Sequence, residues 1–206
     1  MNKCGLGVLR GFLGLLVFSI LLSGKSPEGC LQLDVLLVGD MSTSVSGNEK
    51  FVADAFNVFV SKFDLDEEGI RIGAIIFNSR AHIISHLSSD KKLVGGNVQA
   101  LEFFQADGNT DMLNALYKCV EEFDKNGRHG VKRVIVVVSD GATQGQDKVL
   151  LAAGQLKLIG IDICGVVVIN TDTDENFMER LASPGCYVES YYNNLPDIMK
   201  KMSVCL

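Results

Sequence analysis

Asp40, Ser42 and Ser44 stand at spacing i, i+2, i+4 within residues 33–46, which read LDVLLVGDMSTSVS. Three oxygen-bearing side chains follow directly on an apolar run. Such groups are costly to desolvate unless something uses them. A hard divalent cation would, since Mg²⁺ takes oxygen ligands and keeps part of its shell open for water or a partner. Two further oxygen donors belong with them: Thr110 in Gly108-Asn109-Thr110-Asp111, and Asp140 in Ser139-Asp140-Gly141.

The elements that would position these residues can be read from apolar periodicity. Residues 35–38 have the length and branching of a strand buried on both faces. Residues 70–77, 133–138 and 161–169 read the same way, and 81–85 reads as a short edge strand behind a tight turn at 78–80. Helical spacing covers 50–63, 93–103, 110–123, 148–159, 175–182 and 195–202, and residues 187–188 form a weak strand. Alternation of apolar strands with helices predicts an α/β fold. It is doubly wound, with a mainly parallel central sheet, one antiparallel edge strand and helices on both faces, a Rossmann-like arrangement. Ligands of such sheets bind outside the carboxyl ends of the strands. The loops carrying Asp40–Ser44, Thr110 and Asp140 all fall on that rim.

These residues and their order resemble the von Willebrand factor type A domain, the fold shared with integrin I domains. The resemblance spans nearly all of residues 31–203, within a domain taken as 25–206. Its signature is a metal-ion-dependent adhesion site: a D-x-S-x-S turn, a separate Thr and a separate Asp. Asp40, Ser42 and Ser44 supply the first part, Thr110 the second and Asp140 the third. The resemblance implies Mg²⁺ (or Mn²⁺) held directly by Ser42, Ser44 and Thr110, with Asp40 and Asp140 acting largely through water. Neutral hydroxyls quench little of the cation's charge, so the metal keeps its affinity for a carboxylate from a partner protein. Met41, Thr43, Asn109, Asp111, Gly141 and Ala142 would form the ligand-binding rim. Two positions depart from the family pattern. Thr43 stands where glycine is usual, which changes the ligand-facing surface. Gly39 stands where an apolar residue is usual, which loosens the strand end.

The resemblance implies a secreted protein-binding module, not an enzyme, whose partner is an extracellular protein presenting Glu or Asp. A structural matrix domain that self-associates without using its metal is the alternative. A metal-assisted hydrolase comes third. Residues 25–206 contain no G-x-S-x-G elbow, phosphate-binding glycine loop or dinucleotide fingerprint. A phosphotransferase built on Asp40 would want a second acid two residues on, where Ser42 stands.

Residues 1–24 carry Lys3 and Arg10, then an apolar run over 12–22 and small residues, the order of a secretory signal peptide. The run is about half of the ~20 residues a membrane span needs, which favours cleavage over an anchor. Removing this segment, which contains no acid, takes the net charge from −6 to −8. Such a surface argues against nucleic-acid or anionic-membrane partners. Of six cysteines, Cys4 leaves with the signal peptide. In an oxidising compartment Cys30 and Cys205, at the two ends of the domain, read as a disulfide staple. Cys119 and Cys164 read as buried free thiols, leaving Cys186 over, free or joined to another chain. His82 and His86 lie about 13 Å apart on a strand and read as solvated, as does His129 in its loop. Residues 170–174 resemble the start of a calcium loop but lack its glycine and its closing Glu. They read as a solvated loop whose Asp172 or Thr173 caps the next helix.

Overall fold

The computed structural model describes residues 32–205. The expected signal peptide (residues 1–24) and Cys30 of the expected Cys30–Cys205 pair lie outside the described residues. The order of elements is β1 (Leu33–Asp40), α1 (Glu49–Ser61), β2 (Ile70–Phe77), β3 (Ala81–Ser88), α2 (Lys91–Gln99), α3 (Met112–Asn126), β4 (Lys132–Ser139), α4 (Gln146–Leu158), β5 (Ile161–Val168), α5 (Glu175–Leu181), β6 (Tyr187–Ser190) and α6 (Leu195–Cys205). The six strands form one sheet in the order β3-β2-β1-β4-β5-β6. Every neighbouring pair is parallel except β2–β3.

β1 is buried along its whole length because helices cover both faces of the sheet. Its side chains alternate between two core layers, as a period of two requires. Leu33, Val35 and Leu37 face α1, α2 and α6. Leu36 and Val38 face α3, α4 and α5. At the amino end of β1 the same alternation buries a charge. Asp34 is 0% exposed and accepts hydrogen bonds from Arg71 Nε (3.2 Å), the Arg128 backbone N–H (2.7 Å) and Arg128 Nε (2.9 Å). Burial alone would raise its carboxyl, but bonds from Arg71 and Arg128 outweigh burial and hold it below the ordinary value. Arg128 also donates to the carbonyls of Leu33, Glu67 and Gly69, pinning the loop before β4 to the starts of β1 and β2.

Four sequence expectations need correction. Gly39 does not loosen the end of β1. It pairs on both sides, and a Cβ there would stand 3.2 Å from both Phe56 and Val52. The missing side chain lets α1 seat on the strand. β3 runs to Ser88, three residues beyond the expected end. A register shift beside Gly73 keeps it paired, and the Glu122 carboxylate takes the Leu87 N–H at 2.8 Å. His86 is not merely solvated, since its Nδ1 lies 2.8 Å from the same buried Glu122. Cys164 is not a free thiol and Cys186 is not left over: they form a disulfide with Cα atoms 4.6 Å apart. Cys119 is free and buried. Among the described residues, no helix is long and apolar enough to cross a membrane.

Candidate metal centre

β1 and β4 are neighbours whose registers bring Gly39 opposite Val138. The residues that follow, Asp40 and Ser139-Asp140, therefore meet at the carboxyl rim, where the strand order turns outward in both directions from β1. The Ser139 hydroxyl donates to Asp40 Oδ2 at 2.6 Å, and the Ser42 backbone N–H donates to Asp40 Oδ1 at 2.9 Å. Ser139 Oγ in turn accepts the Gly141 N–H at 3.0 Å. Asp140 Oδ1 accepts the Ala142 N–H and its Oδ2 accepts Asn170 Nδ2, both at 3.0 Å.

Both carboxylates are buried, Asp40 at 1% and Asp140 at 0% exposure. Burial pushes the Asp40 carboxyl up to about 6. The Ser139 and Ser42 hydrogen bonds oppose that rise, and the Asp140 charge adds to it. The Asp140 charge thus stands close enough to disfavour ionisation of Asp40. Above them, Ser42 Oγ and Ser44 Oγ lie 3.3 Å apart. Both line an open cleft of about 430 Å³ that Thr110 also lines.

The three loops are tied together by their backbones. Thr143 Oγ1 donates to the Thr110 carbonyl at 2.8 Å and accepts the Met112 N–H at 3.2 Å. The Gln144 N–H reaches the same Thr110 carbonyl at 3.2 Å. Asp111 N-caps α3 by accepting the Asn114 N–H at 3.0 Å. The helix therefore starts at Met112, and Thr110 sits in the loop before it, not on its first turn. Thr43, at the position where glycine was expected, ties two loops together. Its hydroxyl and its N–H both donate to the Gly108 carbonyl, at 3.0 and 3.2 Å.

The expected rim divides. Thr43, Asn109 and Ala142 line the cleft. Met41 does not: it is 0% exposed, in the core layer under α1, while its backbone bonds Phe77 and Asp107. Gly141 is also buried, at φ +83°, and a Cβ there would stand 2.6 Å from the Asp174 carbonyl. The Asp111 side chain is taken up by its capping bond. Gly108, Thr143 and Gln144 complete the cleft.

Sequence reasoning also passed over Ser139 and Asn170. Both could have been found by the rim rule, because each stands at the carboxyl end of a central strand. The loop at 170–174 is ordered by its own side chains. Thr173 Oγ1 takes the Asn170 N–H at 2.7 Å, and Asp174, not Asp172 or Thr173, caps α5 through the Phe177 N–H. The Asp174 N–H donates to the Asp140 carbonyl at 2.8 Å.

The five expected donors offer only oxygen, as two carboxylates and three hydroxyls. That set suits Mg²⁺ or Mn²⁺ and not a thiolate- or imidazole-seeking metal. Among the described residues no group of three or more His, Cys, Asp or Glu converges to hold a metal. The cost of ionising Asp40 in this buried place is what a cation beside it would relieve.

The family model of the von Willebrand factor type A domain matches residues 34–201. The collagen alpha-4(VI) chain of Mus musculus is 25% identical over 182 residues, which is 86% of this chain and 8% of that protein. The manganese-loaded TRAP protein of Plasmodium vivax superposes with a TM-score of 0.71 at 21% identity, over 84% of this chain and 73% of that one. A mussel byssus proximal thread matrix protein with a zinc-occupied MIDAS motif gives 0.73 at 19% identity, over 85% and 46%.

Proposed function

The chain belongs to the von Willebrand factor type A domain family, and from that premise we propose that it is a secreted module binding an acidic protein ligand through a divalent cation. The observation that carries this reading is the buried Asp40–Asp140 pair directly behind the hydroxyls of Ser42 and Ser44. Ser42, Ser44 and Thr110 would hold Mg²⁺ or Mn²⁺, while Asp40 and Asp140 would orient waters and hydroxyls around it. Bound there, the cation supplies a positive centre that attracts a Glu or Asp side chain. Asn170 and the Ala142 N–H hold Asp140 in one orientation, and Ser139 does the same for Asp40. Thr43 and Asn109 stand at the mouth of the cleft, where an incoming protein would meet them. The manganese- and zinc-loaded structures with this fold support the cation. Collagen relatives and the Cys164–Cys186 disulfide support an extracellular setting. Nothing in the site calls for a reaction, and we read the chain as a binding protein and not an enzyme.

The collagen chains also favour a second reading, a structural domain that associates with itself. The chain spans about 8% of those relatives' length, so their assemblies are a guide to class only.

The test has two parts. Millimolar Mg²⁺ should raise the Tm of the domain, because a ligand of the folded state alone stabilises it. Asp40→Ala should abolish the rise. Extracellular proteins captured by the immobilised domain should then be released by EDTA. An unchanged Tm would defeat the metal reading, and sedimentation showing EDTA-insensitive oligomers would favour self-association.

A further inference from the structure

A second cleft, of about 360 Å³, runs between α3 and the edge strand β3. Arg80 and His82 line it at the start of β3, and Asn114, Tyr117, Lys118 and Glu121 line it from α3. The tight turn at 78–80 stands between it and the cation cleft, sealed onto the Thr110 loop. Ser79 Oγ accepts the Asn109 N–H at 2.9 Å, and Asn78 Nδ2 donates to Asp107 Oδ1 at 3.0 Å. The Asp111 N–H donates to the Asn78 carbonyl at 2.8 Å, and the Ala81 N–H donates to Asn114 Oδ1 at 2.9 Å. Asn109 and Thr110 at this seam line the cation cleft. Arg80 and Asn114 at the same seam line the second. The two clefts are therefore neighbours on one surface, held in fixed relation by four hydrogen bonds.

The second cleft offers donors. Arg80 is exposed, and among the described residues its guanidinium has no ion pair or hydrogen bond. Arg71 and Arg128, by contrast, are engaged with Asp34. The Asn114 amide gives its oxygen to the Ala81 N–H, which leaves its nitrogen to donate. Tyr117 is 61% exposed and adds a hydroxyl. The acid in the lining, Glu121, is already met by two ammonium groups, Lys118 and Lys125, each at 2.6 Å. Two lysines against one glutamate leave one positive charge over, and Arg80 adds another. On a chain of net charge −6 this is a local reversal of sign. Unpaired donors carrying positive charge fit a carboxylate, which is negative and only accepts.

We propose that this cleft is a second subsite of the same binding surface, taking a further carboxylate from the acidic protein that reaches the cation. The inference rests on the metal reading above and narrows the partner to a segment carrying two acids at a set spacing. A helix rises 1.5 Å per residue, so Asn114 to Lys118 lie about 3 to 9 Å along α3 from its first residue, Met112. Extended chain advances about 3.3 Å per residue. The second acid then stands about three or four residues from the first. A charged edge strand also discourages pairing with other strands, but that use needs no ligand and gives no preference for a second acid.

The experiment titrates the full chain, Arg80→Gln, Lys118→Gln and Lys62→Gln with two peptides, in Mg²⁺ and in EDTA. Both peptides are blocked at their ends. One reads Glu-Gly-Gly-Gly-Glu and the other Glu-Gly-Gly-Gly-Gln. Binding is followed by backbone amide shifts. Lys62 ends α1 and lies outside both clefts, so its variant controls for net charge. Two acids give two ways to reach the cation, which alone makes about a twofold gain. With the subsite, the two-acid peptide should bind about four- to tenfold tighter in Mg²⁺, and only it should move the Tyr117 and Lys118 amides. Arg80→Gln and Lys118→Gln should each cut the gain toward twofold, while Lys62→Gln keeps it. Unfolding midpoints in EDTA should stay together, since these side chains are not in the core. A twofold gain in the unaltered chain, or a larger one that survives both cleft substitutions, would overturn the inference alone. If neither peptide binds better in Mg²⁺ than in EDTA, the metal reading falls and this inference falls with it.

Discussion

Asp40 accepts two good hydrogen bonds and is still held at about 6, because burial and the Asp140 charge outweigh them. The sign of the consequence is fixed. A carboxyl raised in the folded state contributes stability while protonated. That contribution is full below about pH 4 and is lost as pH rises through about 6. Asp40→Asn cannot ionise, so in EDTA it should gain on the wild type by up to about 3 kcal/mol between about pH 4 and about pH 7. Mg²⁺ should reverse the order at neutral pH once in about thousandfold excess over Kd, which adds roughly 4.1 kcal/mol to the protein that binds it. Denaturant titrations of both chains across this range, with and without Mg²⁺, measure the gap. A gap that does not move with pH would show that Asp40 is not strained by burial. That Asp40, Ser42, Ser44, Thr110 and Asp140 gather at one rim was legible because each follows or precedes a recognisable element. Ser139 and Asn170 were harder to see, because their roles exist only once three strands lie side by side. Met41 was misplaced for a related reason: one residue after a strand, orientation is set by the hydrogen bonds to Phe77 and Asp107, which sequence does not display.

The strands were legible because helices on both faces leave apolar runs in the middle of β1, β4 and β5, with polar residues confined toward their ends. Element ends were less so. α3 begins at Met112 because Asp111 caps it, and Thr110 and Asp111 are both favoured capping types. β3 continues because Glu122, 34 residues downstream of its end, receives its N–H. Two glycines with opposite surroundings test how the elements fit. Gly154 lies inside α4, and a Cβ there would meet nothing within 4 Å. Gly154→Ala should therefore stabilise by about 0.5–1 kcal/mol, the difference in helix preference. Gly39→Val must displace Phe56 and Val52, which already stand 3.2 Å from where a Cβ would be. It should cost about 1–3 kcal/mol, typical of overpacking. Urea midpoints of the two variants should move in opposite directions. A shift of both the same way would mean that α1 does not pack on β1 as described.

For the molecule as a whole, the bridge from Cys164 in β5 to Cys186 beside β6 is the feature that sequence reasoning most clearly missed. Parallel neighbours bring Gly165 opposite Tyr187 and so set these two sulfurs together, a proximity that exists only once β5 and β6 are paired. The bridge spans a sequence separation of 22 residues, and chain-entropy arguments give such a loop about 3 kcal/mol. Replacing both cysteines by serine should lower stability by roughly that amount, read from denaturant unfolding of the two proteins. An unchanged midpoint would mean that the noncovalent packing of β6 suffices.

The same loop carries Asn170 and Asp174, which hold Asp140 by side chain and backbone. The bridge therefore also keeps a record of where the chain matured. Of Cys119, Cys164 and Cys186, a chain folded under oxidising conditions offers an alkylating reagent one, Cys119, and only after unfolding. A chain that never met an oxidant offers all three. Labels mapped to these three positions on the unfolded protein read the biosynthetic history of a sample directly.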